Sequence, residues 1–338
     1  MANMFNAVTK VDPSFTEPDM IITTAQASGY LDIFAERKPR AKLGNGDLFV
    51  YLNRVDIRTQ VAAGQSAYNL LPSATLTTDY LQTATYLLRV RAEYDHHDLA
   101  AAGRWNVSLP EAQRLGMRQG IFQYARVMGL YGANAANYEG VMNTPGATAV
   151  TLPADTYGNT TITTYDAGEL AIQFMSYIQG ALTRTYQLGM PTRICILGPQ
   201  RVLGQMQLTN IVQVTSYQRP GSGTATTAQV IQTVAREFGY EIEYAYDDTL
   251  IGKGAGGTDA VIINIPEIRI PEMANINTNV FDTLQPNMKA TTLQYTDMAA
   301  PMEITTPIVD GVNVTSEIRF TSGWNFRPQS LTIVSIPY

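Results

Sequence analysis

Apolar and polar positions change their spacing several times along the chain, and each change marks an element. Residues 1–45 show no period: polar residues and Pro13, Pro18 and Pro39 surround one apolar patch, Tyr30-Leu31-Asp32-Ile33-Phe34. That pattern predicts an extended arm ordered only by a partner. Between Asp47 and Tyr94, residues 48–52 and 85–92 read as strands, predicting a long hairpin with an irregular tip around residues 62–71.

The strongest helical signal starts at Ser108-Leu109-Pro110-Glu111, a capping box with Pro inside the first turn. The helix should run to Gly129 or Gly132, and roughly 22 residues at 1.5 Å each make it about 33 Å long. Met117, Ile121, Tyr124, Met128 and Tyr131, widened by Leu115, Phe122 and Ala125, predict its buried stripe. Gly116 and Gly120 lower helix propensity, so they are expected where a sheet or neighbouring strand comes close.

Strand-like residues 147–164 lead to a second helix over 167–188, with Asp166 as N-cap and Gly189-Met190-Pro191 as its stop. Leu170, Phe174, Tyr177, Ile178 and Leu182 mark its inner face. An alternating α/β section follows: strand 193–197, helix 199–208, a loop over 219–227, helix 228–238, and strands 241–246 and 260–265. The chain closes on strands 302–305, 312–320 and 331–336.

Composition changes this picture in one respect. Charged residues are only 15% of the 338, against a usual ~25%, and Lys occurs only at Lys10, Lys38, Lys42, Lys253 and Lys289. A soluble monomer needs more charge than this to cover its outside, so large subunit interfaces are expected. A β-rich fold with Thr and Tyr on sheet faces would share the composition. The net charge of -6 disfavours sequence-specific nucleic-acid binding. Cys195, the single cysteine, permits neither an internal disulfide nor a cysteine-based zinc site. The N-terminus lacks signal-peptide character and no apolar run nears the ~18 residues of a membrane span. Cytoplasmic synthesis of a soluble protein with no membrane partner is the expectation.

Candidate chemistry is sparse. His96 and His97 are adjacent and diverge in any regular structure, so Asp95 is read as the cap of a short helix rather than as a catalytic or metal partner. Gly252-Lys253-Gly254-Ala255-Gly256-Gly257 has the glycines of a phosphate loop in the wrong order, and reads as a hairpin tip. Asp247-Asp248 reads as a turn-initiating pair, and Cys195 lies inside an apolar strand where a thiol is inert. No catalytic, metal or cofactor site is expected.

Three stretches become informative together. Arg91-Ala92-Glu93-Tyr94-Asp95 before a short helix, the long helix from Ser108, and Tyr138-Glu139-Gly140-Val141-Met142-Asn143-Thr144-Pro145-Gly146 resemble the major capsid proteins of tailed bacteriophages. The resemblance implies an α+β, Hong Kong 97-like fold. It implies an N-terminal arm over 1–46 and an extended loop (E-loop) over 47–94. A peripheral domain over 95–191 and 284–338 would hold the spine helix 108–132, with an axial domain over 192–283.

The same resemblance implies a structural subunit, not an enzyme. It would self-assemble as hexamers and pentamers into an icosahedral head enclosing double-stranded DNA, without sequence-specific binding. Assembly would take place in the host bacterial cytoplasm and the product would be the virion capsid. Portal, a separate scaffolding protein and a decoration protein are the implied partners.

The chain departs from the type member in two respects. It carries no long acidic helical scaffolding segment ahead of the arm, and the Met at position 1 argues against removal of one. No Lys lies between Lys42 and Lys253, so the extended loop has no amine for an isopeptide cross-link. Arg54, Arg58, Arg89 and Arg91 are then expected as non-covalent anchors to neighbouring copies, with Phe49, Tyr51, Leu70 and Leu71 as apolar contacts. An encapsulin-like nanocompartment is the alternative on the same fold, and a cytoplasmic α/β enzyme the alternative from another class.

Overall fold

The computed structural model describes residues 28–44, 46–58, 75–104, 108–208, 210–211, 225–269 and 289–338. The hairpin tip at 62–71, the arm before residue 28 and most of the 219–227 loop lie outside these residues. In chain order the elements begin with β1 (Arg40–Ala41), β2 (Phe49–Arg58), β3 (Thr75–Asp95), α1 (His96–Arg104), α2 (Leu109–Tyr131) and β4 (Thr148–Thr151). They continue with α3 (Ala167–Arg184), β5 (Arg193–Gly198), α4 (Gln200–Leu208), β6 (Asn210–Ile211), β7 (Ala225–Thr226), α5 (Thr227–Glu237), β8 (Glu241–Tyr246) and β9 (Asp259–Asn264). The remainder is strand: β10 (Thr292–Leu293), β11 (Tyr295–Thr296), β12 (Met302–Ile308), β13 (Gly311–Thr321), β14 (Trp324–Asn325) and β15 (Leu331–Ile336).

One strand organises the first sheet. The first half of β3 pairs antiparallel with β2, Arg58 facing Thr75 and Phe49 facing Ala84. Its second half pairs with β13, Thr85 facing Thr321 and Asp95 facing Gly311. The 21 residues of β3 at ~3.3 Å each give a strand of about 70 Å. The sheet runs β1-β11-β13-β3-β2, with β12 also on β13, so β2 ends the order as an unpaired edge among the described residues.

α2 lies on this sheet. Ile121, Ala125 and Met128 meet Leu88, Ile318 and Phe320, and Met117 is buried beside them. The expected stripe is too wide: Tyr124 is 52% exposed and Leu115 39%, because one sheet covers only one side of the helix. Ser108 makes no side-chain cap, although Pro110 sits in the first turn as expected. A methyl group at Gly116 or Gly120 would meet nothing within 4 Å, so neither glycine faces the sheet. The close approach is at Gly129, where a Cβ would stand 3.1 Å from the Tyr30 ring.

The second sheet has the order β4-β15-β9-β5-β8. Period-2 alternation splits β5 between two cores. Ile194 and Ile196 face Phe174, Ile178 and Leu182 of α3 and Ile231 of α5. Cys195 and Leu197 face Tyr30, Ile33, Phe34 and Leu130. One expectation changes here. The Tyr30–Ile33 segment is a short 3-10 helix buried in the chain's own core, so this part of the arm needs no partner to be ordered. β4, α3 and β15, assigned by sequence to the peripheral part, share sheet and core with residues 193–265. Pairing of β15 with β9 joins segments far apart in the chain, which local periodicity does not reveal. The stretch 147–164 is strand only at β4, and α3 ends at Arg184.

Between the sheets runs a buried polar seam. Asn264 donates to the Ile33 carbonyl and to Thr292 Oγ1, each at 2.9 Å, and accepts from Ser330 Oγ at 3.1 Å. Thr291 Oγ1 donates to the Ile265 carbonyl at 2.6 Å, and Gln294 to the Thr321 carbonyl at 3.2 Å. Part of the neutral polar composition is therefore interior and hydrogen-bonded within the chain.

Candidate functional site

The hairpin presents the clearest unpartnered surface. Alternation along β2 and β3 brings Phe49, Tyr51 and Tyr80 together, with ring centroids 6.4 Å apart for the first pair and 6.2 Å for the second. These rings are 50%, 57% and 67% exposed, and aromatic groups left in water this way are usual at interfaces. The hairpin base is fixed. Thr85 N–H donates to the Leu48 carbonyl at 3.0 Å, and Arg319 Nη1 donates to the Asp47 carbonyl at 3.0 Å and to Thr85 Oγ1 at 3.1 Å.

The expected anchors divide. Arg89 pairs with Glu317 at 3.0 Å and Arg91 with Glu93 at 2.5 Å, both within the chain and with both arginine side chains largely exposed. Arg54 stands opposite Asp79 in the strand register and Arg58 opposite Thr75. Their side chains, and Leu70 and Leu71 entirely, lie outside the described residues.

The Tyr138–Gly146 motif is a brace beneath this hairpin. α2 ends at Gly132, whose φ of 76° turns the chain out of the helix. Glu139, 7% exposed, then accepts from Tyr86 of β3 at 2.8 Å, from the Asn134 N–H at 3.0 Å and from Ser322 after β13 at 3.2 Å. Asn143 Nδ2 donates to the carbonyls of Tyr131 and Glu139 at 2.7 and 2.9 Å. Burial, together with the Glu139 carboxylate, pushes the Tyr86 hydroxyl up to about 12. One carboxylate thus ties the helix exit to both central strands. Glu139→Ala strands three donors and should lower unfolding stability by about 3 kcal/mol, read from the urea midpoint. An unchanged midpoint would remove the brace from the account.

The other chemical candidates separate. Asp95 accepts the Asp98 N–H at 2.7 Å, capping α1, and that hydrogen bond holds its carboxyl below the usual range. His96 Nδ1 lies 3.2 Å from the Asp310 carbonyl. Asp247 is buried and accepts from Ser28 Oγ, from Thr249 N–H at 2.9 Å and from Thr249 Oγ1 at 2.6 Å. Asp248 instead accepts the Gln200 N–H at 2.8 Å, at the start of α4. The two carboxylates therefore do not act as a pair. Lys253 sits 5.6 Å from the Tyr131 ring centroid, within cation–π range. Cys195 is buried, and that burial raises its thiol pKa. Sequence reading missed one pairing: Arg201 grips Asp259 through two hydrogen bonds of 2.6 Å and stacks 4.7 Å from the Tyr338 ring centroid. Among the described residues no three His, Cys, Asp or Glu side chains converge as a metal site, and no helix is long and apolar enough to cross a membrane.

No family model and no curated protein matches the sequence. Solved structures do match the fold. The capsid of Myoviridae phage XM1 superposes with a TM-score of 0.69 at 10% identity, over 95% of this chain and 96% of that one. The capsid of cyanophage P-SCSP1u gives 0.59 at 10% identity, over 97% and 93%. The mature capsid of bacteriophage PhiM1 gives 0.56 at 12% identity, over 96% and 92%. The likeness runs over nearly the whole length of both chains, and the chain has the α+β, Hong Kong 97-like fold of tailed-phage capsid proteins.

Proposed function

We propose that this chain is a major capsid protein, a structural subunit that self-assembles as hexamers and pentamers into an icosahedral phage head. The observation that carries the reading is coverage: the likeness takes in 95% of this chain and 96% of the XM1 capsid chain. The exposed hairpin rings and the low charge fraction support it.

In this reading residues 1–46 are the arm, 47–94 the extended loop and α2 the spine helix. The peripheral domain is residues 95–191 and 284–338, and it contributes β11, β12 and β13 to the first sheet. The axial domain is residues 192–283, with β4 and β15 continuing its sheet and α3 packing on its core. The subunit works by geometry, without catalysis or cofactor. It resides in the virion after assembly in the host cytoplasm and encloses double-stranded DNA, and the acidic net charge limits its grip on that DNA. Portal, a separate scaffolding protein and a decoration protein are its proposed partners.

Negative-stain micrographs of the purified full-length protein should show closed shells, whereas fields without particles under all assembly conditions would count against the proposal. Boiling those shells in detergent should give one band at 37.1 kDa, since the loop lacks lysine. A covalent ladder would show a cross-link that this account does not contain.

A further inference from the structure

Beneath α2 lies a cavity of about 580 Å³, bounded by the 30–42 segment and by residues 296–301. Its floor is apolar, built from Ile121, Phe122, Met298 and Phe320, and its rim carries Lys38, Lys42 and Arg118. Lys38 and Lys42 are exposed and, among the described residues, pair with no carboxylate. The rim's own acid, Glu36, is taken by Arg40 at 2.7 Å, while Arg118 shares Glu303 with Arg114. An apolar trough with spare positive charge along its edge fits an extended segment that alternates apolar side chains with carboxylates.

We propose that the occupant is the chain's own residues 15–22, Phe15-Thr16-Glu17-Pro18-Asp19-Met20-Ile21-Ile22, held as a clasp before assembly. Four of these side chains are large and apolar, two are carboxylates, and none is basic. The reach is sufficient. Ser28 is fixed by its hydrogen bond to Asp247, and Tyr30, two residues on, lines the cavity. Six Cα steps from Ile22 to Ser28 span at most about 20 Å, so Ile22 can reach the groove without a second copy. Such a clasp covers apolar surface between spine helix and arm until shell contacts replace it. Its role before assembly rests on the shell reading, whereas the docking itself is tested on dissociated protein and can fail separately.

The test uses the dilute, full-length chain with two introduced cysteines, the native Cys195 being buried. Ile21→Cys with Ala299→Cys should form an intrachain disulfide, mapped by peptide mass. It should form about tenfold faster than Ile21→Cys with Tyr157→Cys, since docking raises local concentration. Tyr157 is exposed and does not line the groove. Reversing the rim with Lys38→Glu and Lys42→Glu should slow the reaction about tenfold, the effect of two favourable exposed pairs. Adding Glu17→Lys and Asp19→Lys should restore it, which also shows that the rim variant folds. Equal rates for the two cysteine pairs, or indifference to charge reversal, would overturn the proposal. Disulfides formed only between chains would assign the groove to another copy and overturn it equally.

Discussion

The Gly140→Ala chain is expected not to accumulate as folded protein. Gly140 has a φ of +87°, in the region that side-chain-bearing residues rarely adopt, and an added Cβ would stand 2.3 Å from both Gly132 N and the Tyr131 carbonyl carbon. Those neighbours are backbone and cannot turn aside. Gly140 N–H donates to the Gly323 carbonyl at 3.1 Å, and Gly323 N–H donates to the Met128 carbonyl at 3.2 Å. A shift to relieve the clash would thus break the junction of spine helix, brace and β13. Backbone strain together with lost hydrogen bonds puts the cost above ~4 kcal/mol, a large part of the ~5–15 kcal/mol that holds a domain. Gly120→Ala is the matched control. It lies in the helix interior, where a Cβ meets nothing within 4 Å, so it should raise stability by about 1 kcal/mol. Soluble yield and denaturant midpoints check both. A well-folded Gly140→Ala variant would mean that the motif is not the junction described.

Removing residues 60–74 while keeping the paired parts of β2 and β3 should leave folded capsomers that no longer close shells. The pairing from Phe49–Ala84 to Arg58–Thr75 is local to the hairpin, and the cores of both sheets lie elsewhere, so folding has no need of the tip. The proposed assembly would need it: roughly 300 Å² of apolar surface buried against a neighbour, at ~25 cal/mol per Å², would give about 7 kcal/mol before ordering costs. Arg54 and Arg58 would add orientation more than energy, because partly exposed ion pairs contribute about 0–1 kcal/mol. Circular dichroism should match the intact chain, while light scattering should show no shells. Normal shells from the shortened chain would take the hairpin out of the assembly mechanism.

Much of the fold is legible in the sequence because its elements are long and locally periodic. The hairpin strands, α2, α3 and the alternating 193–265 section all follow from spacing alone. What the sequence hides is what covers each face. Tyr124 and Leu115 continue the α2 stripe by period, yet only the side carrying Ile121, Ala125 and Met128 meets β3 and β13. The Tyr30–Phe34 patch looks like an arm awaiting a partner, but the face of β5 bearing Cys195 and Leu197 receives it within the chain. The seam at Asn264, Thr291 and Thr292 shows why a low charge fraction does not measure interface alone: neutral polar side chains also fill an interior when their donors and acceptors are met. Of the candidate site, the aromatic residues Phe49 and Tyr51 were readable by alternation, while Tyr80 joins them only through the hairpin register. Glu139 lay inside a recognised motif, but its role needed Tyr86 and Ser322, which reach it from remote parts of the chain.

The mass of the native particle tests the central claim most directly. Sedimentation velocity of the intact protein under conditions that stabilise virions should give hexamer or pentamer capsomers, or closed shells in the megadalton range. A stable, monodisperse monomer at 37.1 kDa under those same conditions would contradict the assignment of this chain as a shell subunit.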